Sequence, residues 1–179
     1  AGGVTAAVKL CRDLRLDAAV TLDVGGTSAD LAAITGGQSR SRMSRVIDGQ
    51  PVRLPTIDVE TISNGGGSIA WVDPGGALKV GPLSAGAVPG PACYGQGGTQ
   101  PTVTDAAVVL GWLAPEDYLG GEVTILPELA HKAVLDLVAE PLGIALEDAA
   151  FGIIRVANAM LVQSIRALAV ERGLDVRNY

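Results

Sequence analysis

Aromatic side chains make up only 3% of the 179 residues, although 48% of the chain is hydrophobic. A core of that composition is aliphatic, and its abundant alanine and glycine favour close packing of helices on a sheet. The two cysteines, Cys11 and Cys93, are too few and too far apart for a disulfide framework, so both read as reduced thiols. There is a single histidine, and a His-dependent triad would have to run through it alone. His131 falls opposite the helical face made by Leu129, Ala130, Ala133, Val134, Leu137 and Val138, which marks it as exposed and inert. Basic residues are outnumbered, thirteen Lys and Arg against nineteen Asp and Glu for a formal charge of -6. That balance excludes a phosphate backbone as the partner of the whole surface, and with it nucleic acid. No uninterrupted apolar run approaches the ~20 residues that span a bilayer, and no charged start leads into an apolar stretch and a small-residue cleavage site. A cytoplasmic chain with no membrane partner is expected.

Several catalytic signatures are missing as well. There is no Gly-x-x-x-x-Gly-Lys-Ser/Thr loop, no Gly-x-Ser-x-Gly elbow, no His pair and no paired-cysteine metal spacing. What the chain holds instead is Asp23-Val24-Gly25-Gly26-Thr27-Ser28-Ala29-Asp30, directly after the apolar, partly β-branched run Ala18–Leu22. The run predicts a buried strand that ends at Asp23. Gly25 and Gly26 let the backbone turn sharply and remove the side chains that would keep a ligand from its N–H groups, so the turn can cradle an anion. Thr27 and Ser28 add hydroxyls, and Asp23 and Asp30 add carboxylates suited to a hydrated Mg²⁺. On the octet alone a plain tight turn with Thr27 as a capping residue is an equal alternative.

The rest of the chain reads as follows. Val4, Ala7, Val8 and Cys11 recur at helical spacing up to Leu14, with Cys11 on the core face. Leu31–Ile34 predicts a second strand closed by a Gly36-Gly37 turn, and Ser39–Ile47 a third, whose Arg40, Arg42 and Arg45 form a solvated edge. Val52–Ile62 alternates, with Pro55 demoting it to an edge or a lead-in. After the glycine loop Asn64–Ser68, Ile69–Asp73 and Ala77–Val80 face each other across Pro74-Gly75-Gly76 as a hairpin. Gly81–Thr102 is too rich in Gly and Pro for regular structure, and Cys93-Tyr94 in its middle predicts that it packs down as a functional loop. Cys93 is a conceivable nucleophile without a base. Thr104-Asp105 predicts the cap of a helix reaching Leu113, and Leu126-Pro127-Glu128 opens another. Glu147-Asp148 start a long helix whose stripe Phe151, Ile154, Leu161, Ile165 and Leu168 runs to a stop at Gly173. Asn158 interrupts that stripe, either for a packing hydrogen bond or to line a site. The order predicts an α/β fold in which a three-strand antiparallel meander is flanked by helices, with any ligand near Asp23.

Taken together, the octet, Gly65-Gly66-Gly67-Ser68-Ile69-Ala70-Trp71-Val72-Asp73, Gly81–Gly86, Pro89–Gly95, Pro101–Ala106 and Val170-Glu171-Arg172-Gly173 resemble the hydantoinase A/5-oxoprolinase family over essentially the whole chain. The resemblance implies part of an actin-like (ribonuclease H-like) ATPase fold, with ATP and Mg²⁺ as cofactors. It makes Asp23, Gly25, Gly26, Thr27 and Ser28 the second phosphate loop, with Asp23 acting through Mg²⁺ and its waters. Asp23 and Asp30 stand as the catalytic candidates, and Gly65, Gly66, Gly67, Ser68 and Cys93 as a possible substrate or loop site. It further implies opening of a cyclic amide, hydantoin or 5-oxoproline, beside a hydantoinase B-type subunit or domain. A carboxylase of the same family is the alternative, and a non-catalytic interaction module the alternative of another class. Ser63-Asn64 stand where the family has small residues, and Val176 where a proline is common. Such proteins are several times longer, with a first phosphate loop and an adenosine-binding segment absent here. Residues 1–179 are therefore expected to be an internal fragment cut at both ends, with a Gly/Pro-rich loop and hairpin region at about 63–102.

Overall fold

Small residues and a few branched aliphatics build separate cores in the computed structural model, which describes residues 2–47, 49–114, 124–175 and 177. Val176, Asn178 and Tyr179 lie outside the described residues. The chain divides into two compact units.

The first unit gathers the residues up to Asp23, Ala29–Ile62 and the chain from Ser164 onward. Its opening helix α1 (Gly2–Leu14) buries Val4 and Cys11, as the spacing predicts. β1 (Ala18–Val24) runs one residue past the expected end and lies beside β2 (Ala29–Thr35). β2 is the buried strand of the sheet, with Leu31, Ala32 and Ile34 fully covered. It pairs antiparallel with β3 (Gln38–Ser39) through Ile34 and Thr35, and with β8 (Glu60–Ile62) through Ala29, Asp30 and Leu31. Leu31 and Ala33 pack against Leu168, with Ile62, Ile165 and Leu174 around them.

The single third strand expected over Ser39–Ile47 does not form. The chain breaks it into β3, β4 (Ser41–Arg42) and β5 (Arg45–Ile47), and β6 (Gln50–Val52) and β7 (Thr56–Ile57) pair with β5 and β4 respectively. Its Ser and Arg residues supply no apolar face to bury, so no continuous ladder is favoured. Nor is the basic strip simply solvated. Arg42 pairs with Asp58 and reaches Glu60 at 3.7 Å, and Arg172 holds the other Asp58 oxygen at 2.8 and 2.9 Å. Asp58 and Arg172 are 9% and 7% exposed, so their pairing in a partly desolvated place matters more than a surface ion pair would.

The second unit comprises Val24–Ser28 and Ser63–Gln163. Its hairpin of β9 (Ser68–Val72) and β10 (Leu78–Ser84) has the expected register, Leu78 opposite Val72 and Val80 opposite Ala70. The Asp73 carboxylate accepts the Ala77 and Gly75 N–H groups at 2.9 Å each, and these bonds, the Ala77 one first, with Lys79 nearby, hold its pKa below the usual carboxylate value. β10 continues through Gly81 to Ser84, where irregular chain is expected from the Gly/Pro content; the Trp71 indole N–H donates to the Gly81 carbonyl at 2.9 Å across the hairpin.

α2 (Val103–Val109) is capped by Thr102 rather than Thr104 and ends at Leu110, short of Leu113, where Gly111 turns into the left-handed region. Pro127 opens α3 (Pro127–Val134), which widens into a π turn at Leu135–Ala139 before α4 (Glu140–Leu142). The widened turn shifts the helical phase, so Val138 and Ala139 stay buried while Leu137 is 39% exposed. α5 (Leu146–Glu171) passes from this unit into the first. By length and composition it is long and apolar enough to cross a membrane, yet here it buries Ala149, Ala150, Ile153, Ile154 and Ala157 against Val80, Ala106, Val134 and Val138. Of the expected stripe, Ile154 and Leu168 are buried and Leu161 and Ile165 half-buried, whereas Phe151 is 49% exposed; Asn158 is exposed as well. Gly152 packs beside Leu78, where a Cβ would stand 3.1 Å from the leucine side chain. The helix stops at Gly173 with Gly173 N–H on Val170 O and Leu174 N–H on Ala169 O, the paired bonds of a glycine cap.

Candidate phosphate site

Asp23 leaves β1 exposed, and Gly25, Gly26 and Thr27 follow it exposed, with Ser28 half-buried. The turn is closed by the Gly25 N–H donating to the Ser28 carbonyl at 2.8 Å. Both arrangements named on the octet survive: the segment is a tight turn, and it presents its backbone to solvent. Its inner edge rests on the second glycine loop. Gly66 N–H donates to Gly25 O at 2.9 Å, and Gly67 N–H to Gly26 O at 2.6 Å. A Cβ on Gly65 would stand 2.5 Å from Gly25 O and 2.8 Å from both Gly26 O and Ser28 N, so the approach exists only because that residue has no side chain.

This packing corrects the expectation for Gly65, Gly66, Gly67 and Ser68. Their N–H groups are spent inside the protein: Gly65 on the Ser68 hydroxyl at 2.9 Å, Gly66 and Gly67 on the turn, and Ser68 on Gly65 O at 3.0 Å. Ser68 itself is 1% exposed. Instead of offering its amides to a substrate, the loop supports the turn. Asn64, buried, anchors its start by donating to Ala157 O of α5 at 2.8 Å, which gives a packing reason for the departure from a small residue there.

Cys93 is also corrected. It is fully buried, and burial first, then the neighbouring Asp105 carboxylate, pushes its thiol far above the ordinary value, so no thiolate is available for attack. The sequence reading missed Asp105 as the centre of this region. Wholly buried, it accepts from Ala92 N at 3.2 Å, Cys93 N at 2.8 Å, Thr102 N at 2.9 Å and the Thr102 hydroxyl at 2.7 Å. Thr102 and Asp105 form a reciprocal capping box, so the Thr-x-x-Asp spacing was the signal that placed the cap at Thr102. His131 is exposed, its Nδ1 2.6 Å from Pro127 O one turn back on α3.

In the first unit Asp23 and Asp30 line one open cleft of about 310 Å³, together with Gly3, Val4, Ala7, Thr21 and Leu22. Asp30 Oδ1 accepts the Thr61 hydroxyl at 2.7 Å, its register partner on β8. Among the described residues no three His, Cys, Asp or Glu side chains come together as a metal cage. The donor set that is present, two carboxylates lining one open cleft, suits a magnesium ion that would keep much of its water shell rather than one held by protein alone.

The site is thus an exposed glycine turn after a sheet strand, headed by an aspartate, in an α/β protein. The match to known proteins is specific: the hydantoinase/oxoprolinase family model covers residues 1–179, and the chain belongs to that family. It is 46% identical over 164 residues to caprolactamase subunit alpha of Pseudomonas jessenii, covering 92% of this chain and 24% of that one. It is 44% identical over 159 residues to the acetophenone carboxylase gamma subunit of Aromatoleum aromaticum, covering 88% of this chain and 21% of that one. The crystal structure of ATP-dependent caprolactamase from Pseudomonas jessenii superposes with a TM-score of 0.85 at 44% identity, over 97% of this chain and 25% of that one. The expected class, mixed α/β with an antiparallel meander and flanking helices, is the fold the two share. The chain spans about a quarter of the length of the caprolactamase and acetophenone carboxylase subunits.

Proposed function

We propose that the whole protein is an ATP-dependent hydrolase that opens cyclic amides of the hydantoin or 5-oxoproline type, in the cytoplasm and beside a hydantoinase B-type subunit or domain. The observation that carries the reading is the turn after β1: Gly26 and Thr27 are exposed, and no described residue accepts their N–H groups. In this reading those amides and the Thr27 and Ser28 hydroxyls receive phosphate oxygens, and Asp23 and Asp30 hold Mg²⁺ through its waters. When bound, ATP would supply a phosphoryl group to the ring amide oxygen, so that water adds to the ring carbon and the C–N bond breaks, the nitrogen leaving as the amine and the phosphate being released when a second water hydrolyses the acyl group. The turn's own contribution is orientation and neutralisation of phosphate charge. Cys93 has no part in it.

Near-equal identity to a caprolactamase and to an acetophenone carboxylase subunit supports a second reading, an ATP-dependent carboxylase. One experiment separates them. ADP release by the full-length protein with its partner is measured with hydantoin, 5-oxoproline and caprolactam, then with ketones plus bicarbonate. Amide-dependent ATP use with ring opening is the expected result. Ketone-dependent ATP use without amide hydrolysis replaces it with the carboxylase, and no substrate-dependent ATP use at all leaves an interaction module.

A further inference from the structure

The direction in which the turn's amides point is set by its carbonyls. A trans peptide unit carries C=O and N–H on opposite edges, and the described cis bonds are only those before Pro82 and Pro89. The Gly25 carbonyl is held by Gly66 N–H at 2.9 Å, so the Gly26 N–H of the same peptide unit is turned to the opposite side. The Gly26 carbonyl is held by Gly67 N–H at 2.6 Å, so the Thr27 N–H is turned away likewise. These are the two exposed amides that no described residue accepts.

The brace is itself fixed from behind. Thr104 gives both its N–H, at 2.8 Å, and its hydroxyl, at 2.9 Å, to the Gly66 carbonyl, and Ala85 N–H donates to the Gly67 carbonyl at 2.8 Å. Cβ atoms on Gly66 and Gly67 would come within 2.7 Å of the Thr104 hydroxyl and 2.9 Å of Gly26 O, so the close approach leaves no space for a side chain at either residue. We propose that Gly65, Gly66 and Gly67, with Thr104 behind them, are positioning residues that aim the Gly26 and Thr27 amides at a phosphate, without touching it. The proposal rests on the nucleotide reading of the turn. It assigns a role to a glycine loop whose amides a ligand cannot reach.

The test uses the full-length protein with its partner subunit, and reads kcat, KM for Mg-ATP, KM for the ring amide and the thermal midpoint. Gly65→Ala is expected to raise KM for Mg-ATP roughly tenfold or more while the ring-amide KM stays within about twofold. Thr104→Val is expected to raise it several-fold, on the order of half a decade, and Thr104→Ser to restore it. Unchanged Mg-ATP KM in folded Gly65→Ala and Thr104→Val overturns the proposal, as does an equal rise in both KM values. Should Gly65→Ala not fold, the Thr104 pair decides. Asp23→Asn, run alongside, tells the two failures apart. If it abolishes ATP use while the brace variants do not alter the Mg-ATP KM, only the positioning role falls. If it leaves ATP use intact, the nucleotide reading falls and takes the proposal with it.

Discussion

Gly25-Gly26 and Gly65-Gly66-Gly67 look alike as sequence, two short glycine clusters beside hydroxyl residues, and the fold uses them in opposite ways. A Cβ on Gly26 would meet nothing within 4 Å, whereas a Cβ on each of Gly65, Gly66 and Gly67 would come closer than 3.0 Å to another atom. The first cluster keeps the Gly26 N–H in solvent; the second gives its N–H groups to carbonyls of the first and to Ser68. A glycine cluster is therefore a statement about backbone access only. Whether a ligand or the protein itself takes that access is settled by following each N–H to its acceptor.

The contrast predicts that stability depends on the second cluster and its supports, and hardly on the first. The largest loss is expected at Asp105, whose neighbour Thr104 holds Gly66. Asp105→Ala strips the acceptor from three backbone N–H groups and the Thr102 hydroxyl in a fully buried place. A cost of about 3–5 kcal/mol in denaturant unfolding is expected. Asp105→Asn, which keeps part of the acceptor capacity, should lose less. A small effect from Asp105→Ala would mean that the region around Cys93 and the cap is held by packing alone. Gly65→Ala comes next, at about 2–3 kcal/mol, because the atoms its methyl would strike are backbone and cannot rotate aside.

Cys93 tests the same buried region by pH. Its thiol is pushed up by burial and by Asp105, so the folded chain keeps a proton that the unfolded chain gives up near pH 9, the ordinary value. The contribution is fully present below that pH and is lost as pH rises above it, because the unfolded state then binds fewer protons than the folded one. Denaturant midpoints measured from about pH 8 to about pH 10.5 should fall more steeply for the native chain than for Cys93→Ala. Equal slopes would show that the thiol titrates normally and that the region opens to solvent.

What could be read in advance was local. Pro74-Gly75-Gly76 between alternating strands gave the hairpin, Gly173 gave the end of α5, and the octet gave the exposed turn, since each depends on a few adjacent residues. What escaped depends on partners distant in the chain. Phe151 lies off the buried face of α5, which Ala149, Ala150, Ile153, Ile154 and Ala157 make against residues distant in the chain. Asn64 rather than Asn158 is the buried asparagine, because its acceptor sits on Ala157. The role of the 65–67 loop was hidden for the same reason, its hydrogen bonds being made to Gly25 and Gly26 across the intervening strands.

The smallest expected effect, Gly26→Ala, is also the sharpest test of the comparison. Its Cβ finds open space, and Gly26 is not among the glycines with positive φ. The substitution should therefore change unfolding free energy by less than about 1 kcal/mol, in the stabilising direction because the unfolded chain loses freedom. Its methyl would nevertheless stand beside the amide that the proposed function assigns to phosphate, so in that reading Mg-ATP binding by the full-length protein should weaken while the thermal midpoint holds. Gly65→Ala is expected to lower both. A Gly26→Ala variant that loses stability as Gly65→Ala does would show that the turn, too, is packed against protein and has no face left for a ligand.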